Sequence, residues 1–452
     1  MIEGRNYLYD RFTNDIYPKT SKIVNKIKFM EDRLEKLIKN KYISIPFDEN
    51  IISKKVFSDK PLEIIINITE KCNCECSYCI YGPSYPSTYK NNKNKTINID
   101  IIQKSLSYFS RFLNLNEQKE LYIGFYGGEP LLEWKLIEEI TRFIQAYFRE
   151  KLLRFSITTN LTNLTKPIAE FLSKNDFLLT ISIDGPKEEN DKFRKFKNGS
   201  GVFECVYKNI KFLISNYPEY FARNVRFSSV YCEAHDLNKI NEFFLTDPFL
   251  DKSFFVSKVS EMDTLFYKKF IPKREDCHFL NQFYYFKKLF FKYKKGETIQ
   301  KIMLSNYILS MFEFYYSLYF KKRNLDIYDI AWYLINDPLN VPLLPASCFP
   351  LGRKVYISSE GNYYICEKMA ERILLGDVSS GINFKNIYEF IEGYLNDIVK
   401  HCLLCNYVQL CPACYANLYL YNQDKFGCEN IKYVLEKQFL VDYISCFLNI
   451  DF

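Results

Sequence analysis

The cysteines of this chain are unevenly placed, and that placement restricts the fold more than any bulk property. Of 15 Cys in 452 residues, four fall between Cys72 and Cys79 and seven between Cys348 and Cys428. At about 3% of the chain they are well below the roughly 8–10% of a disulfide scaffold. No secretory apolar segment opens the sequence, so clustered thiols point to metal before disulfides, in a reducing cytoplasm. At roughly 100 to 200 residues per domain the length allows two to four domains with an enzyme-sized core. The 61 Lys+Arg against 54 Asp+Glu leave a net charge of +7, too diffuse to call for a nucleic-acid or membrane partner. The most apolar stretch, Tyr307 to Phe320, carries Glu313 and is shorter than the roughly 20 apolar residues of a bilayer span.

Residues 1–58 contain two strand-like pieces, Asn6 to Tyr9 and Ile16 to Ile23, and a helix around Phe29 to Lys39. From Pro61 a different pattern begins, in which β-rich apolar runs alternate with longer helical stretches. The runs are LEIIINIT (62–69), LYIGFYGG (121–128), RFSITTN (154–160), LLTISIDG (178–185), VRFSSVY (225–231) and SFFVSKV (253–259). Between the second and third, Leu136, Ile137, Ile140, Phe143, Ile144, Tyr147 and Phe148 recur with helical spacing, an apolar stripe that suits a helix lying on a sheet. Six such units predict a parallel α/β sheet, barrel-like or open, and near-continuous apolar strands predict burial on both faces. In these sheets the chemistry sits at the carboxyl ends of the strands. The polar, Gly-rich segments fall there: Cys72 onward, Gly127-Gly128-Glu129, Thr158-Thr159-Asn160 and Ser182 to Gly185. Residues 261–344 read as a helical, aromatic-rich bridge, and 345–452 as a Cys-dominated module ending in a helix near 431–449.

Cys72, Cys76 and Cys79 form CxxxCxxC. Three thiolates on one loop can hold three irons of a cubane cluster and leave the fourth open for a ligand. The spacing of Cys76 and Cys79 also suits a zinc knuckle or a redox thiol pair. Position favours the cluster, since the motif follows the first strand of a βα array and encloses an aromatic, Tyr78.

On these residues the chain resembles the radical S-adenosylmethionine (radical SAM) enzymes. The resemblance implies a partial (β/α)6 TIM-like barrel over 59–260, with Cys72, Cys76 and Cys79 ligating a 4Fe-4S cluster whose open iron binds the methionyl amine and carboxylate. YGGEP (126–130) is similar to the family's second-strand motif, giving Gly127, Gly128 and Glu129 as contacts to the amine. SIDGP (182–186) with Arg194 is similar to its fourth-strand segment, giving Ser182, Asp184 and Arg194 around ribose and carboxylate. TTN (158–160) matches the third-strand motif and adds Thr159 and Asn160, although Leu161 stands where many members have Gly. Tyr78 completes the expected cofactor pocket. Cys74 departs from the family pattern, and its spacing suits the cluster less well.

The later cysteines are Cys348, Cys366, Cys402, Cys405, Cys411, Cys414 and Cys428. A zinc ribbon needs four ligands, and seven fit neither one tetrahedral site nor two. The string is similar to the SPASM domain of radical SAM peptide-modifying enzymes, which carries two auxiliary 4Fe-4S clusters. The resemblance assigns Cys402, Cys405, Cys411 and Cys428 to the outer cluster and Cys348, Cys366 and Cys414 to the inner one. Two residues separate Cys411 from Cys414 where the family commonly has three. Three inner thiolates leave an iron open to a substrate thiolate. That implies a maturase of ribosomally made peptides forming a Cys thioether, as sactipeptide and ranthipeptide enzymes do. Its implied partners are a precursor peptide with a leader, for which residues 1–58 are a candidate binding element, and a flavodoxin- or ferredoxin-type reductant.

A rival within the same resemblance is oxidation of Ser or Cys to formylglycine by anaerobic sulfatase maturases, which place an acidic general base where Glu367 stands. The plainer reading of Glu367 is a surface carboxylate paired with Lys368. Peptide epimerisation, carbon-carbon cross-linking and a non-catalytic iron-sulfur or zinc adaptor are the remaining alternatives. His235, His278 and His401 lack ligand spacing, and Cys205, Cys232, Cys277 and Cys446 read as buried free thiols.

Overall fold

The computed structural model describes residues 7–10, 15–38, 63–85, 94–113, 120–258 except 233, 248 and 251–253, and 354–405 except 370 and 371, with scattered positions including 42, 48–51, 266, 351, 419–420 and 425–426. The aromatic bridge and the closing helix lie almost wholly outside the described residues. So do Cys277, Cys348, Cys411, Cys414, Cys428 and Cys446.

Strands β1 (Tyr7–Asp10) and β2 (Asp15–Pro18) pair antiparallel and lead into α1 (Ser21–Ile38). The sequence suggested strand as far as residue 23. The helix instead begins at Ser21, because the Thr20 hydroxyl accepts the Ile23 N–H at 3.3 Å and caps the first turn.

The body of the fold alternates strand and helix: β3 (Glu63–Thr69), α2 (Ile99–Leu113), β4 (Glu120–Gly127), α3 (Trp134–Tyr147), β5 (Leu152–Thr159), α4 (Lys166–Lys174) and β6 (Leu178–Ser182). It continues through α5 (Lys187–Phe193), α6 (Phe203–Asn216), α7 (Pro218–Asn224), β7 (Val225–Tyr231), α8 (Leu237–Thr246) and β8 (Phe254–Lys258). Strands β3 to β8 are all parallel and lie side by side in chain order, the parallel sheet anticipated from the repeat and the partial barrel implied by the resemblance. The barrel is not closed. The free edge of β3 is taken by β9 (Lys354–Ile357), which pairs with it in parallel from Glu63↔Lys354 to Ile66↔Ile357. Strands β10 (Asn362–Tyr364), β11 (Gly376–Asp377) and β12 (Gly381–Ile382) follow antiparallel and extend the same sheet to ten strands. Helix α9 (Phe384–Tyr394) runs through a π-helical turn, Leu395–Val399, into α10 (Lys400–Leu404), against which α1 packs. Short strands β13 (Tyr419–Leu420) and β14 (Lys425–Phe426) pair with each other.

Burial on both faces holds for β3 and β9 but not for β5 to β7. In β5, β6 and β7 buried and half-buried residues alternate. The helix-covered face carries Phe125, Phe155, Ile157, Leu179, Ile181 and Phe227, with the rings of Phe125 and Phe155 stacked on Phe177 at 5.7 and 5.3 Å. The opposite, concave face is half-open and lined by Ser156, Thr158, Thr180, Ser182 and Ser228, which the registers set side by side. Small hydroxyl residues on that face leave room that Val or Ile would fill. The hydrophobic runs therefore mark one buried layer of helices, and their polar interruptions mark a cleft.

Candidate active site

The loop after β3 carries the first four cysteines and is held as if it were another strand. Glu75 N–H donates to the Lys195 carbonyl at 2.8 Å, Ser77 N–H to that of Phe193 at 2.9 Å, and Lys197 N–H to that of Asn73 at 3.2 Å. The segment that carries Arg194 is thus bound along the cysteine loop, a contact between residues over a hundred positions apart that no local motif announces. A tight turn follows, with Cys79 N–H donating to Cys76 O and Gly82 N–H to Cys79 O.

Cys72, Cys76 and Cys79 are half-buried, Cys74 is buried, and none of the four is in a disulfide. Cys74 donates to the Cys72 sulfur, which holds the Cys72 thiol below its ordinary pKa and pushes that of Cys74 far up. The Cys74 N–H also points to Cys72 Sγ, at 3.4 Å. Burial pushes the Cys76 thiol up to about 12. The Asn160 amide nitrogen lies 3.2 Å from Cys74 Sγ and 3.9 Å from Cys72 Sγ, so the third-strand Asn reaches the cysteine loop directly.

The Gly-Gly-Glu turn after β4 is packed on the chain just before Cys72. Gly128 N–H donates to Thr69 O at 2.7 Å and Glu129 N–H to Lys71 O at 2.8 Å. A Cβ on Gly127, whose φ is +143°, would stand 2.3 Å from Thr69 O. One on Gly128 would stand 2.2 Å from Lys71 O. Both glycines are needed for the approach of two backbones. The Glu129 carboxylate is 1% exposed. It accepts from Thr159 Oγ1 at 2.6 Å, Leu131 N–H at 3.0 Å and Asn160 N–H at 2.7 Å. Burial raises its pKa despite these donors. Glu129, Thr159 and Asn160 therefore form one unit joining the ends of β4 and β5.

Past β6, Asp184 is buried and accepts from Val230 N–H at 2.9 Å and from the Tyr78 hydroxyl. Arg194 Nη1 donates to the same Tyr78 oxygen at 2.7 Å and lies 3.8 Å from Asp184 Oδ2. Burial raises the Tyr78 pKa well above the ordinary value, so its hydroxyl keeps its proton. Arg194 lies within electrostatic reach of Cys72, Cys76, Glu129 and Tyr126, which makes it the charged centre toward which the motifs converge. Ser182 lies half-exposed at the end of β6, on the cleft side.

In the C-terminal module, Cys366 lies two residues past the end of β10, and burial pushes its thiol up to about 11. The partner of Glu367 is not Lys368, which is exposed, but Lys354, at 3.0 Å across the first turn of the module. Burial works against the Glu367 carboxylate, but Lys354 outweighs it and the pKa falls below the ordinary value. The Tyr81 hydroxyl donates to the Glu367 carbonyl at 3.2 Å and lies 3.4 Å from that of Tyr356, so the cysteine loop and the Cys366 turn touch. Cys402 sits on the last turn of α10 and Cys405 caps its C-terminus, with Cys405 N–H donating to Cys402 O at 3.0 Å. Among the described residues no three His, Cys, Asp or Glu side chains gather tightly enough for a single metal ion. A 4Fe-4S cube takes each thiolate on a different iron, so its ligands stand farther apart than those of one ion.

Sequence reasoning passed over Asn67, Tyr81, Tyr126 and Lys354. Asn67 had a signal, a lone amide inside the apolar run IIINIT. It is buried on the cleft face, and its Oδ1 has no hydrogen-bond partner among the described residues. The other three are drawn in by the pairing of β9 with β3.

The family model described as "Radical SAM superfamily" matches residues 66–223. Radical SAM domains use S-adenosylmethionine and a 4Fe-4S cluster. A cysteine-type anaerobic sulfatase-maturating enzyme of Clostridium novyi is 26% identical over 397 residues, covering 84% of this chain and 95% of that protein. An uncharacterized protein of Methanocaldococcus jannaschii is 36% identical over 137 residues, covering 30% of this chain and 43% of that relative, less than half its length. Among solved structures, "Native anSMEcpe with bound AdoMet and Cp18Cys peptide" superposes with a TM-score of 0.54 at 19% identity, covering 87% of this chain and all of that one. That likeness is one of fold. No described helix is long and apolar enough to cross a membrane.

Proposed function

With a radical SAM domain over residues 66–223, we propose that this chain modifies a ribosomally made peptide, abstracting hydrogen through a 5′-deoxyadenosyl radical and closing a Cys thioether. The observation that carries the reading is convergence: the cysteine loop, Gly127-Gly128-Glu129, Thr159-Asn160 and Ser182-Asp184-Arg194 meet at neighbouring strand ends. The residues suit the cofactor. Four cysteines outside any disulfide share one loop, and Arg194 Nε and Asn67 Oδ1 are buried without hydrogen-bond partners among the described residues. Cys72, Cys76 and Cys79 would hold the cluster, and the Cys74-to-Cys72 hydrogen bond favours Cys72 as the thiolate of that pair. When bound, the cluster supplies the electron that cleaves S-adenosylmethionine.

This chain's own residues bind and orient. Glu129 brings negative charge to the methionine ammonium, Arg194 offers a planar fork to the carboxylate, and Ser182 faces the ribose. Asp184, Thr159, Asn160 and Tyr78 hold these groups in place. The hydroxyl-lined cleft receives the peptide residue and keeps water from the radical. Glu367, held by Lys354, is the candidate base. We assign Cys402, Cys405, Cys411 and Cys428 to an outer auxiliary cluster, and Cys348, Cys366 and Cys414 to an inner one with a position left for the substrate sulfur. A flavodoxin or ferredoxin would supply electrons, and β1, β2 and α1 would receive a leader. The end-to-end match with the Clostridium novyi enzyme favours a second reading, formylglycine formation.

Anaerobic reconstitution should load about twelve irons, three clusters of four. About four, or zinc in their place, would remove the auxiliary clusters. Cys76→Ala should abolish 5′-deoxyadenosine formation with S-adenosylmethionine and dithionite. Mass spectrometry then separates the outcomes: a thioether leaves the peptide 2 Da lighter with one thiol lost to alkylation, whereas formylglycine made from Cys is an aldehyde reactive to hydrazides.

A further inference from the structure

Arg194 and Asp184 are opposite charges buried in the same wall, with side chains 9% and 0% exposed, yet they do not grip each other. Their closest atoms are 3.8 Å apart, beyond hydrogen-bond range. The Asp184 oxygens are already occupied, Oδ1 by Val230 N–H at 2.9 Å and Oδ2 by the Tyr78 hydroxyl. That hydroxyl accepts from Arg194 Nη1 at 2.7 Å. It stands between acid and base, donating to one and accepting from the other. Arg194 Nε, by contrast, is buried with no hydrogen-bond partner among the described residues. A guanidinium presents five donors in a fixed plane, so fixing Nη1 also fixes where the remaining edge points. Tyr78 is itself clamped: its ring packs edge-on to Phe193 and Phe266 at 6.3 and 6.5 Å, and Ser77 N–H bonds the Phe193 carbonyl.

We infer that Tyr78 is a positioning residue: its hydroxyl, oriented by Asp184, aims the free edge of Arg194 at the carboxylate of a bound amino-acid ligand. Asp184 then acts through Tyr78, each of its oxygens already holding one donor. The inference deepens the proposed function and rests on S-adenosylmethionine as that ligand. A tie that only stabilised the fold would weaken every ligand alike. A tie that aims Arg194 affects only ligands with a carboxylate.

The test uses the anaerobically reconstituted full chain and equilibrium dialysis against two probes, S-adenosylmethionine and its decarboxylated analogue. Wild type should prefer the carboxylate-bearing probe. Tyr78→Phe, which removes one oxygen and keeps the ring, should weaken S-adenosylmethionine binding about tenfold and leave the analogue unchanged, erasing most of the preference. Asp184→Asn should move the preference the same way with Tyr78 in place, so the idea is still tested if one variant folds poorly; iron content and melting temperature report folding separately. Equal weakening of both probes, or an unaltered preference in both variants, overturns the positioning role alone. Wild type that binds neither probe overturns the S-adenosylmethionine reading instead.

Discussion

A single added methyl should be enough to disorder the cysteine loop. Because the Cβ of an alanine at Gly128 would meet the Lys71 carbonyl at 2.2 Å, and the obstacle is backbone that cannot swing away, Gly128→Ala should cost about 3 kcal/mol. Thermal unfolding would show it, together with loss of iron uptake, since the displaced carbonyl immediately precedes Cys72. Leu161 shows the opposite balance. It occupies the position where the resembled family's third-strand motif often has Gly, and the reason for Gly is visible in its φ of +58°, a conformation that disfavours side chains. Here Leu161 is fully buried in the core. Burying a Leu is worth about 2–3 kcal/mol and outweighs strain of roughly 1 kcal/mol. The departure from the motif is a local exchange of backbone ease for packing.

At the scale of elements, the β11–β12 turn is governed by one carboxylate. Asp377 accepts from the backbone N–H of Ser379 at 2.7 Å and of Ser380 at 2.9 Å, and from both hydroxyls, and these bonds lower its pKa from 3.8 to about 2. A carboxyl depressed by folding stabilises above its ordinary titration range, and that contribution fades as pH falls from about 4 through about 2. The side chain is half-buried in a surface turn, so the effect belongs to the turn and not to the whole fold. Amide exchange at Ser379 and Ser380 should quicken over that interval in wild type, and Asp377→Asn should remove the pH dependence. The elements differ in how far the sequence disclosed them. The six parallel strands were legible because each is a short run rich in Ile, Leu, Val or Phe bounded by turn residues, and α3 because Ile137, Ile140 and Ile144 mark one face. The start of α1 was not, because Ile16 and Ile23 suggest strand and only the Thr20 cap decides otherwise. Strands β9 to β12 are two to four residues long, too short for periodicity, and their meaning lies in partners far away. The site divides similarly: Cys72, Cys76, Cys79, Glu129 and Arg194 were readable as motif residues. The Tyr78–Asp184–Arg194 chain, the Lys354–Glu367 pair and Asn67 depend on which strands become neighbours.

Across the whole molecule, the ten-stranded sheet joins what the sequence divides into barrel and cysteine module. Strand β3 is apolar and buried on both faces, and among the described residues its outer edge is covered by β9, from beyond the expected boundary at residue 345. A chain cut to residues 1–344 should expose that edge, and exposed apolar edges recruit other chains. Size-exclusion chromatography should find it aggregated, whereas a stable monomer would show the barrel to be self-sufficient.

The same pairing imposes a schedule on biosynthesis. Ser359 hydrogen-bonds Glu70 across 289 residues, so the first strand of the sheet leaves the ribosome long before its neighbour exists. At about 5–20 residues per second that interval is roughly 15–60 seconds, long compared with the folding of most small domains. For that time the segment leading to the first cysteines waits with one side uncovered, the period in which a nascent chain of this design most needs a chaperone.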